Sequence, residues 1–245
     1  MHRFFIDPDD ICKSRAVIRG SEAHHLYKVL RLAVGDRIYL FDGSGSIYTA
    51  KIESASKNQV TAAILHEEKA AQHGPFFCLG MGMIKGAKSD LVVQKATELG
   101  IHKIMPFLSQ HCAVQDNSVK RLERWRKIAF EACKQCGRPV LPVIEPVADL
   151  KFLLKKPVDY DLKILFWEKE QTNRLADSFS SNHNIRSIMA LIGPEGGFND
   201  DEVHRATAAG FLPVTLGSRT LRAETAALAA MAIVQYLLGN LNREY

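Results

Sequence analysis

SIMALIGPEGGFNDDEVHRATAAGFLPVTLGSRTLRAETAALAAMAIVQYLL, the stretch from Ser187 to Leu238, decides the fold. An apolar run, Ile188 to Ile192, stops at Gly193-Pro194-Glu195-Gly196-Gly197, and a second, Val214 to Leu216, stops at Gly217-Ser218-Arg219. Each turn feeds a helix. The first helix opens with Asn199 as its N-cap, ahead of Asp200, Asp201 and Glu202. The second is alanine-rich and begins near Arg222. Two strands that end in glycine turns before helices are the signature of a parallel α/β sheet. Ligands sit at the carboxyl ends of such strands, where backbone N–H groups and helix N-termini gather. Glycine lets backbone approach a ligand with no side chain between. The two turns therefore predict a small-molecule site built mostly of backbone.

The same texture extends outward. Phe76–Ile84 reads as a strand, Ser89–Leu99 as a helix stopped by Gly100, and Ile101–Phe107 as a strand. A basic helix over 118–137, a strand at Val140–Ile144, a short helix near 148–155, a strand at Lys163–Trp167 and a helix around 172–180 follow. This alternation predicts a mostly parallel sheet covered on both faces. Residues 1–70 differ: short β-like runs (Ala16–Ile18, Arg37–Phe41, Ser46–Ile52, Gln59–Leu65) alternate with turn signals such as Asp42-Gly43-Ser44-Gly45. A helical piece from Glu22 to Arg31, with Ser21 as N-cap, interrupts them. A small β-barrel over 1–70, the polar linker Glu67–Pro75 and an α/β domain over 75–245 follow from that contrast.

The chain of 245 residues is 47% hydrophobic and 24% charged, as ordinary globular proteins are. No apolar run approaches the roughly 20 residues a membrane span needs, and the N-terminus lacks a secretory signal, so a cytoplasmic location with no membrane partner is expected. Five scattered cysteines argue against a disulfide framework. Cys133 and Cys136 have C-x-x-C spacing, but they share a helical face with Val119, Leu122, Trp125, Ala129 and Ala132, so both are read as core residues rather than metal ligands. His111 and Cys112 complete no familiar four-ligand spacing, and no metal is expected. The segment 118–138 carries seven Lys/Arg against two Glu, a face suited to a phosphate backbone.

Individual residues refine the site. Arg222, read in the first turn of its helix, is disfavoured there by the dipole, so binding an anion is the reason sought for it. Glu224 suits a first turn without further explanation. Asp200, Asp201 and Glu202 weigh against a phosphate at the preceding helix. Gly80, Gly82 and Gly86 nearly spell a dinucleotide fingerprint, but the spacing is one residue too long. Lys85 and Lys88, near a strand end, fit phosphate contact better. No phosphate-loop or nucleophile-elbow motif is present.

Taken in order, these pieces resemble the RsmE family, the uridine-N3 methyltransferases of small-subunit ribosomal RNA within the SPOUT superfamily. The resemblance runs through Met1-His2-Arg3-Phe4-Phe5, His24-His25-Leu26…Val29-Leu30-Arg31, Lys85…Lys88…Asp90…Lys95-Ala96-Thr97-Glu98-Leu99-Gly100 and Glu131-Ala132-Cys133…Gln135-Cys136-Gly137-Arg138. Its most specific parts are Ile192–Phe198 and Leu216-Gly217…Arg219…Leu221-Arg222…Glu224-Thr225-Ala226. It implies a PUA-like N-terminal barrel that binds RNA, a SPOUT α/β domain with a deep trefoil knot, and a homodimer that uses the alanine-rich helix as its surface.

S-adenosylmethionine is implied among three loops: after Leu165 and Phe166, through Ile192, Gly193, Pro194, Glu195, Gly196 and Gly197, and through Leu216, Gly217, Ser218 and Leu221. Arg222 or Arg219 would stabilise the uridine anion, and Glu224 is the candidate base, with loss of the proton to water as the alternative. Arg3, Arg31, Lys85, Lys88 and Arg138 are the expected RNA contacts, on free small-subunit ribosomal RNA or on the assembled 30S subunit. Three rivals stand beside this reading: a SPOUT enzyme acting on transfer RNA or a ribose 2′-hydroxyl, an RNA-binding protein without catalysis, and a dinucleotide-dependent oxidoreductase.

Overall fold

A computed structural model describes residues 2–70, 74–114, 118–155, 159–180 and 184–241. The middle of the expected linker, 71–73, lies outside the described residues. The chain forms two compact units. One holds residues up to Gln72 together with Cys133–Leu141, and the other holds His73–Ala132 and Pro142 onward.

In the first unit, strands β1 (Arg3–Phe5), β2 (Ile11–Cys12), β3 (Arg15–Arg19), β4 (Arg37–Phe41), β5 (Ser46–Ala55) and β6 (Gln59–Lys69) form one sheet in the order β1-β4-β5-β6-β3-β2. β1 pairs parallel to β4, and the other pairings are antiparallel. Period-two alternation turns Ile38, Leu40, Ala50, Ile52, Val60 and Ala62 inward, and the sheet curls around them with Phe4, Ile18 and Leu26. The helix α1 (Gly20–His24) starts before Ser21, with Arg19 at the cap position and no side-chain cap bond, and continues as a π-type turn over His25–Val29.

Three basic residues are enlisted by this unit's packing. The Lys134 ammonium pairs with Glu22. The Arg3 guanidinium donates to the Gly137 carbonyl and lies 5.8 Å from the centre of the Tyr39 ring. Arg138 is drawn in beside Cys133 and Cys136, and its burial lowers its pKa. Cys133 is buried and donates to the Val140 carbonyl at 3.6 Å. Burial, with Cys136 adding to it against Arg138, pushes its thiol up to about 12. A thiol so protonated is neither a ready nucleophile nor a metal ligand. Cys136, expected in the core, is exposed, because the helix ends there and leaves its last turn partly uncovered. Among the described residues no cluster of three or more His, Cys, Asp or Glu is arranged to hold a metal, and no helix is long and apolar enough to cross a membrane.

The second unit holds a wholly parallel sheet of seven strands: β7 (Phe76–Gly82), β8 (Lys103–Leu108), β9 (Val143–Ile144), β10 (Ala148–Asp149), β11 (Leu162–Phe166), β12 (Ser187–Ile192) and β13 (Leu212–Val214). The order is β10-β8-β7-β12-β11-β13, with β9 also on β8. Helices α2 (Ala87–Glu98), α3 (Val119–Cys136), α4 (Leu150–Lys155), α5 (Leu175–Ser180), α6 (Asp200–Ala208) and α7 (Ala223–Leu237) connect or follow the strands. Strand alternation sorts the core into two faces. Phe77, Leu79, Met81, Ile164, Ile188, Ala190 and Ile192 enter one cluster with Trp125 and α7; Cys78, Leu165, Met189 and Leu191 enter the other with Phe198 and Val203. Trp125, 1% exposed, donates from Nε1 to Asp90 Oδ1 at 3.1 Å. Val119, placed on that core face by spacing, is 70% exposed at the open end of α3.

Candidate active site

β11 lies between β12 and β13, so the loops that leave the carboxyl ends of these three strands are neighbours. They enclose a cavity of about 170 Å³. Its walls are Phe166 at the end of β11 with Trp167 and Glu168 after it, Ile192 at the end of β12 with Gly193–Gly197 after it, and Thr215–Gly217, Arg219–Leu221, Ala223 and Ala226 around the start of α7. Much of this wall is backbone, because four of its members are glycine, and hydrogen-bonding groups there are presented without a side chain in front.

The first turn is rigid for identifiable reasons. Gly197 adopts φ +66°, a left-handed conformation that favours glycine, and its N–H closes the turn onto the Pro194 carbonyl at 3.0 Å. The Glu195 carboxylate accepts the Lys85 backbone N–H at 2.9 Å, tying the turn to the end of β7. Asn199 caps α6 as expected, and with Glu202 it forms a full capping box.

The second turn is tied to the loop after β11, since the Thr215 N–H donates to the Asn173 carbonyl at 3.0 Å. That loop is in turn organised by Glu170. The Thr172 hydroxyl and then the N–H groups of Thr172, Asn173 and Gln171 hold its carboxyl down at about 2. The folded value lies below the ordinary one, so this contribution is present above the carboxylate range and is lost as pH falls through the folded value. Amide-exchange protection of Thr172 and Asn173 is expected to persist from neutral pH to about pH 3 and to fade only nearer 2. Glu170→Ala is expected to remove it at every pH; unchanged exchange in that variant refutes the role.

The structure gathers most of the residues the sequence put forward. Phe166, Ile192, Gly193, Pro194, Glu195, Gly196, Gly197, Leu216, Gly217, Leu221 and Arg219 all line the cavity. Leu165 does not: alternation along β11 turns it, fully buried, into the opposite cluster. Ser218 is exposed beside the wall without forming part of it. Arg222 is the N-cap residue of α7 rather than a first-turn residue, with φ −64° and ψ 149°; its side chain makes no cap bond and is exposed between the wall residues Leu221 and Ala223.

Glu224 pairs with Lys88 at 3.2 Å, joining two residues the sequence had assigned separate tasks. Burial raises its pKa, but its own N–H, Lys88 and Arg222 outweigh that and hold the carboxyl below the usual range. A carboxylate so stabilised is a poor proton acceptor. Its Oε2 is buried with no hydrogen-bond partner among the described residues. Lys85 and Arg31 are exposed, and Arg31 sits at φ +54°.

Trp167, Glu168, Thr215, Thr220, Ala223 and Ala226 were not anticipated. The resemblance had placed the loop after Leu165 and Phe166 at the site without naming these residues; the loop carries no glycine signal of its own, and the strand order brings it there. Trp167 Nε1 is a buried donor without a partner among the described residues, at the wall of the cavity. Glu168 reaches over Gly197, where a Cβ would stand 2.4 Å from its Oε1.

The family described as RNA methyltransferase domain matches residues 74–235, and the one described as RNA methyltransferase PUA domain matches 18–65. Fold, cavity and match together define the class, an RNA methyltransferase with an N-terminal PUA domain. Ribosomal RNA small subunit methyltransferase E of Bacillus subtilis is 32% identical over 227 residues, covering 89% of each chain. Its counterpart in Rickettsia conorii is 34% identical over 215 residues, 87% of this chain and 86% of that one. The chain belongs to the ribosomal RNA small subunit methyltransferase E family. The crystal structure of the Neisseria gonorrhoeae member, bound to S-adenosyl methionine, superposes with a TM-score of 0.85 at 34% identity, covering 97% of this chain and 98% of that one.

Proposed function

We propose that this chain transfers a methyl group from S-adenosylmethionine to N3 of one uridine in 16S, small-subunit ribosomal RNA. The observation that carries the reading is the cavity itself, enclosed by three adjacent strand-end loops and walled largely by backbone, in a member of this family. Its residues suit the methyl donor. Backbone donors and acceptors with the apolar Ile192, Leu216 and Leu221 are what an adenine ring requires. Two carboxylates, Glu168 and Glu195, against one guanidinium, Arg219, suit a ligand that carries positive charge. The unpartnered Trp167 Nε1 calls for an acceptor, since a buried polar atom left alone costs roughly 1–3 kcal/mol.

When bound, S-adenosylmethionine supplies an electrophilic methyl group. The chain's own residues then orient the base, exclude water and stabilise the charge left on it. Arg219 at the wall and Arg222 at the rim offer guanidinium donors to the uridine anion as N3 loses its proton. Glu224, held in its ionised form by Lys88 and Arg222, serves better to orient Arg222 than to take that proton, which passes to water in this mechanism. N3 lies on the Watson–Crick edge, so the target base must be unpaired or flipped. Lys85 and Arg31, both exposed, are the proposed RNA contacts, with Lys88 beside Glu224; Arg3 and Arg138 support the first unit instead.

The proposal extends to a cytoplasmic homodimer, with Ile233 and Tyr236 of α7, 42% and 58% exposed, as part of the apolar surface that a second copy would cover. It also includes a trefoil knot in the second unit and a division of labour between an RNA-binding domain over 1–70 and a methyltransferase domain over 75–245. Mass spectrometry of ribosomal RNA from a strain lacking the gene is expected to show loss of a single 3-methyluridine from the small subunit, restored by the intact gene. Loss of a methyl group from transfer RNA or from a ribose hydroxyl would replace the proposed target, and unchanged methylation would refute the reading.

A further inference from the structure

We propose that His111 is a positioning residue for the cavity's glycine turn, acting through its Nδ1 and the Gly196 carbonyl. The inference rests on the methyl-donor reading of the cavity. The turn after β8 is fixed before it reaches the site: Cys112, buried, donates its N–H to the Ser109 carbonyl at 3.1 Å, and its sulfur lies 3.3 Å from the Ser109 nitrogen. The next residue is anchored to α6. The Gln110 N–H donates to Glu202 Oε1 at 2.8 Å, while Glu202 Oε2 accepts the Asn199 N–H at 3.1 Å. Glu202 is 8% exposed, and these two bonds, the second of them half of the capping box, satisfy its carboxylate. Residues 109–112 therefore stand as a fixed post beside the start of α6.

From that post, His111 Nδ1 approaches the Gly196 oxygen at 2.9 Å. A carbonyl only accepts, so Nδ1 carries the hydrogen and donates. The approach is close enough to require glycine on the other side: a Cβ at Gly196 would stand 2.6 Å from His111 Cβ and 3.2 Å from the His111 oxygen. The peptide unit between Gly196 and Gly197 is thereby held at both ends, its oxygen by His111 and its N–H by the Pro194 carbonyl at 3.0 Å. Both glycines are wall residues, whereas His111 is not. A peptide plane pinned in this way keeps the wall in its ligand-ready orientation, which lowers the ordering cost of binding.

The experiment is titration calorimetry of the full chain with S-adenosylmethionine, beside steady-state kinetics on small-subunit RNA. His111→Ala is expected to weaken donor affinity about tenfold, the scale of one lost hydrogen bond, and to change kcat at saturating donor by no more than about twofold. His111→Asn places its amide nitrogen where Nδ1 stood and is expected to restore affinity. His111→Gln places its nitrogen at the Nε2 position and is expected not to. This contrast between two isosteres is not produced by a general loss of stability, and it survives if the alanine variant fails to fold. Wild-type affinity in His111→Ala, or equal affinity in the Asn and Gln variants, overturns the proposal. No heat with the wild-type chain would instead remove the methyl-donor reading beneath it.

Discussion

Replacing Arg222 with alanine is expected to lower methyl transfer by about 100- to 1,000-fold, the scale of removing one preorganised donor from a developing anion, while donor affinity stays within about threefold. The argument is positional. Leu221 and Ala223 line the cavity, but Arg222 between them does not, and its exposed side chain leaves the chain at the N-cap of α7. A cation there is opposed by the helix dipole, and it makes no capping bond in return. Glu224 offsets part of that cost and is itself lowered by the neighbouring Arg222 charge. A guanidinium held at a rim in an unfavourable field is suited to an anion that exists only during reaction. Arg219, a wall residue, is expected to behave differently, with Arg219→Ala weakening donor affinity as well as rate. The measurement is the split between kcat and donor affinity in the two variants. Equal losses of both in Arg222→Ala would make it a binding residue and leave Arg219 as the only proposed stabiliser of the anion. Arg222→Lys keeps the charge without the planar fork and should recover only part of the rate.

What the sequence conveyed about this site depends on whether the controlling interaction is local. Gly197 must be glycine because of its own φ, and the capping box at Asn199 and Glu202 spans three residues, so both were legible. The pairing of β11 between β12 and β13 joins segments some twenty to fifty residues apart, and nothing within any one of them declares it. Trp167 and Glu168 went unnamed for that reason, although the resemblance had placed the loop after Phe166 at the site. Leu165 was misplaced for a simpler one: the alternation that puts Ile188, Ala190 and Ile192 on one face puts Phe166 with them and Leu165 against them. Charged residues were the least legible. Arg3 answers to Gly137, and Lys88 to Glu224, over separations of more than a hundred residues. A list of cations in a basic chain does not say which are engaged at home.

Alanine at Gly82 is expected to cost about 3 kcal/mol of stability and to abolish measurable donor binding, whereas alanine at Gly80, two residues earlier on the same strand, costs about 1 kcal/mol and leaves binding intact. Gly80 faces β12 and Gly82 the turn that follows it, and both would bring a Cβ into contact nearer than real structures allow. What differs is the atom met. At Gly80 the Cβ would stand 2.3 Å from Leu191 Cδ2, the far end of a flexible side chain. Another leucine rotamer can relieve that contact at moderate cost. At Gly82 it would stand 2.5 Å from the Pro194 nitrogen and 2.8 Å from the Gly193 carbonyl carbon, which are backbone. Pro194 has a fixed φ, and the turn it opens is tied on one side to Lys85 and on the other closed by Gly197, so it has little room to yield. Displacing it moves the wall formed by Gly193–Gly197, which couples the stability loss to the site. Chemical denaturation of the two variants, with donor titration of each, tests the distinction. If the two glycines prove interchangeable, the turn is softer than its contacts imply, and its rigidity no longer explains how a cavity with so much exposed backbone keeps its shape.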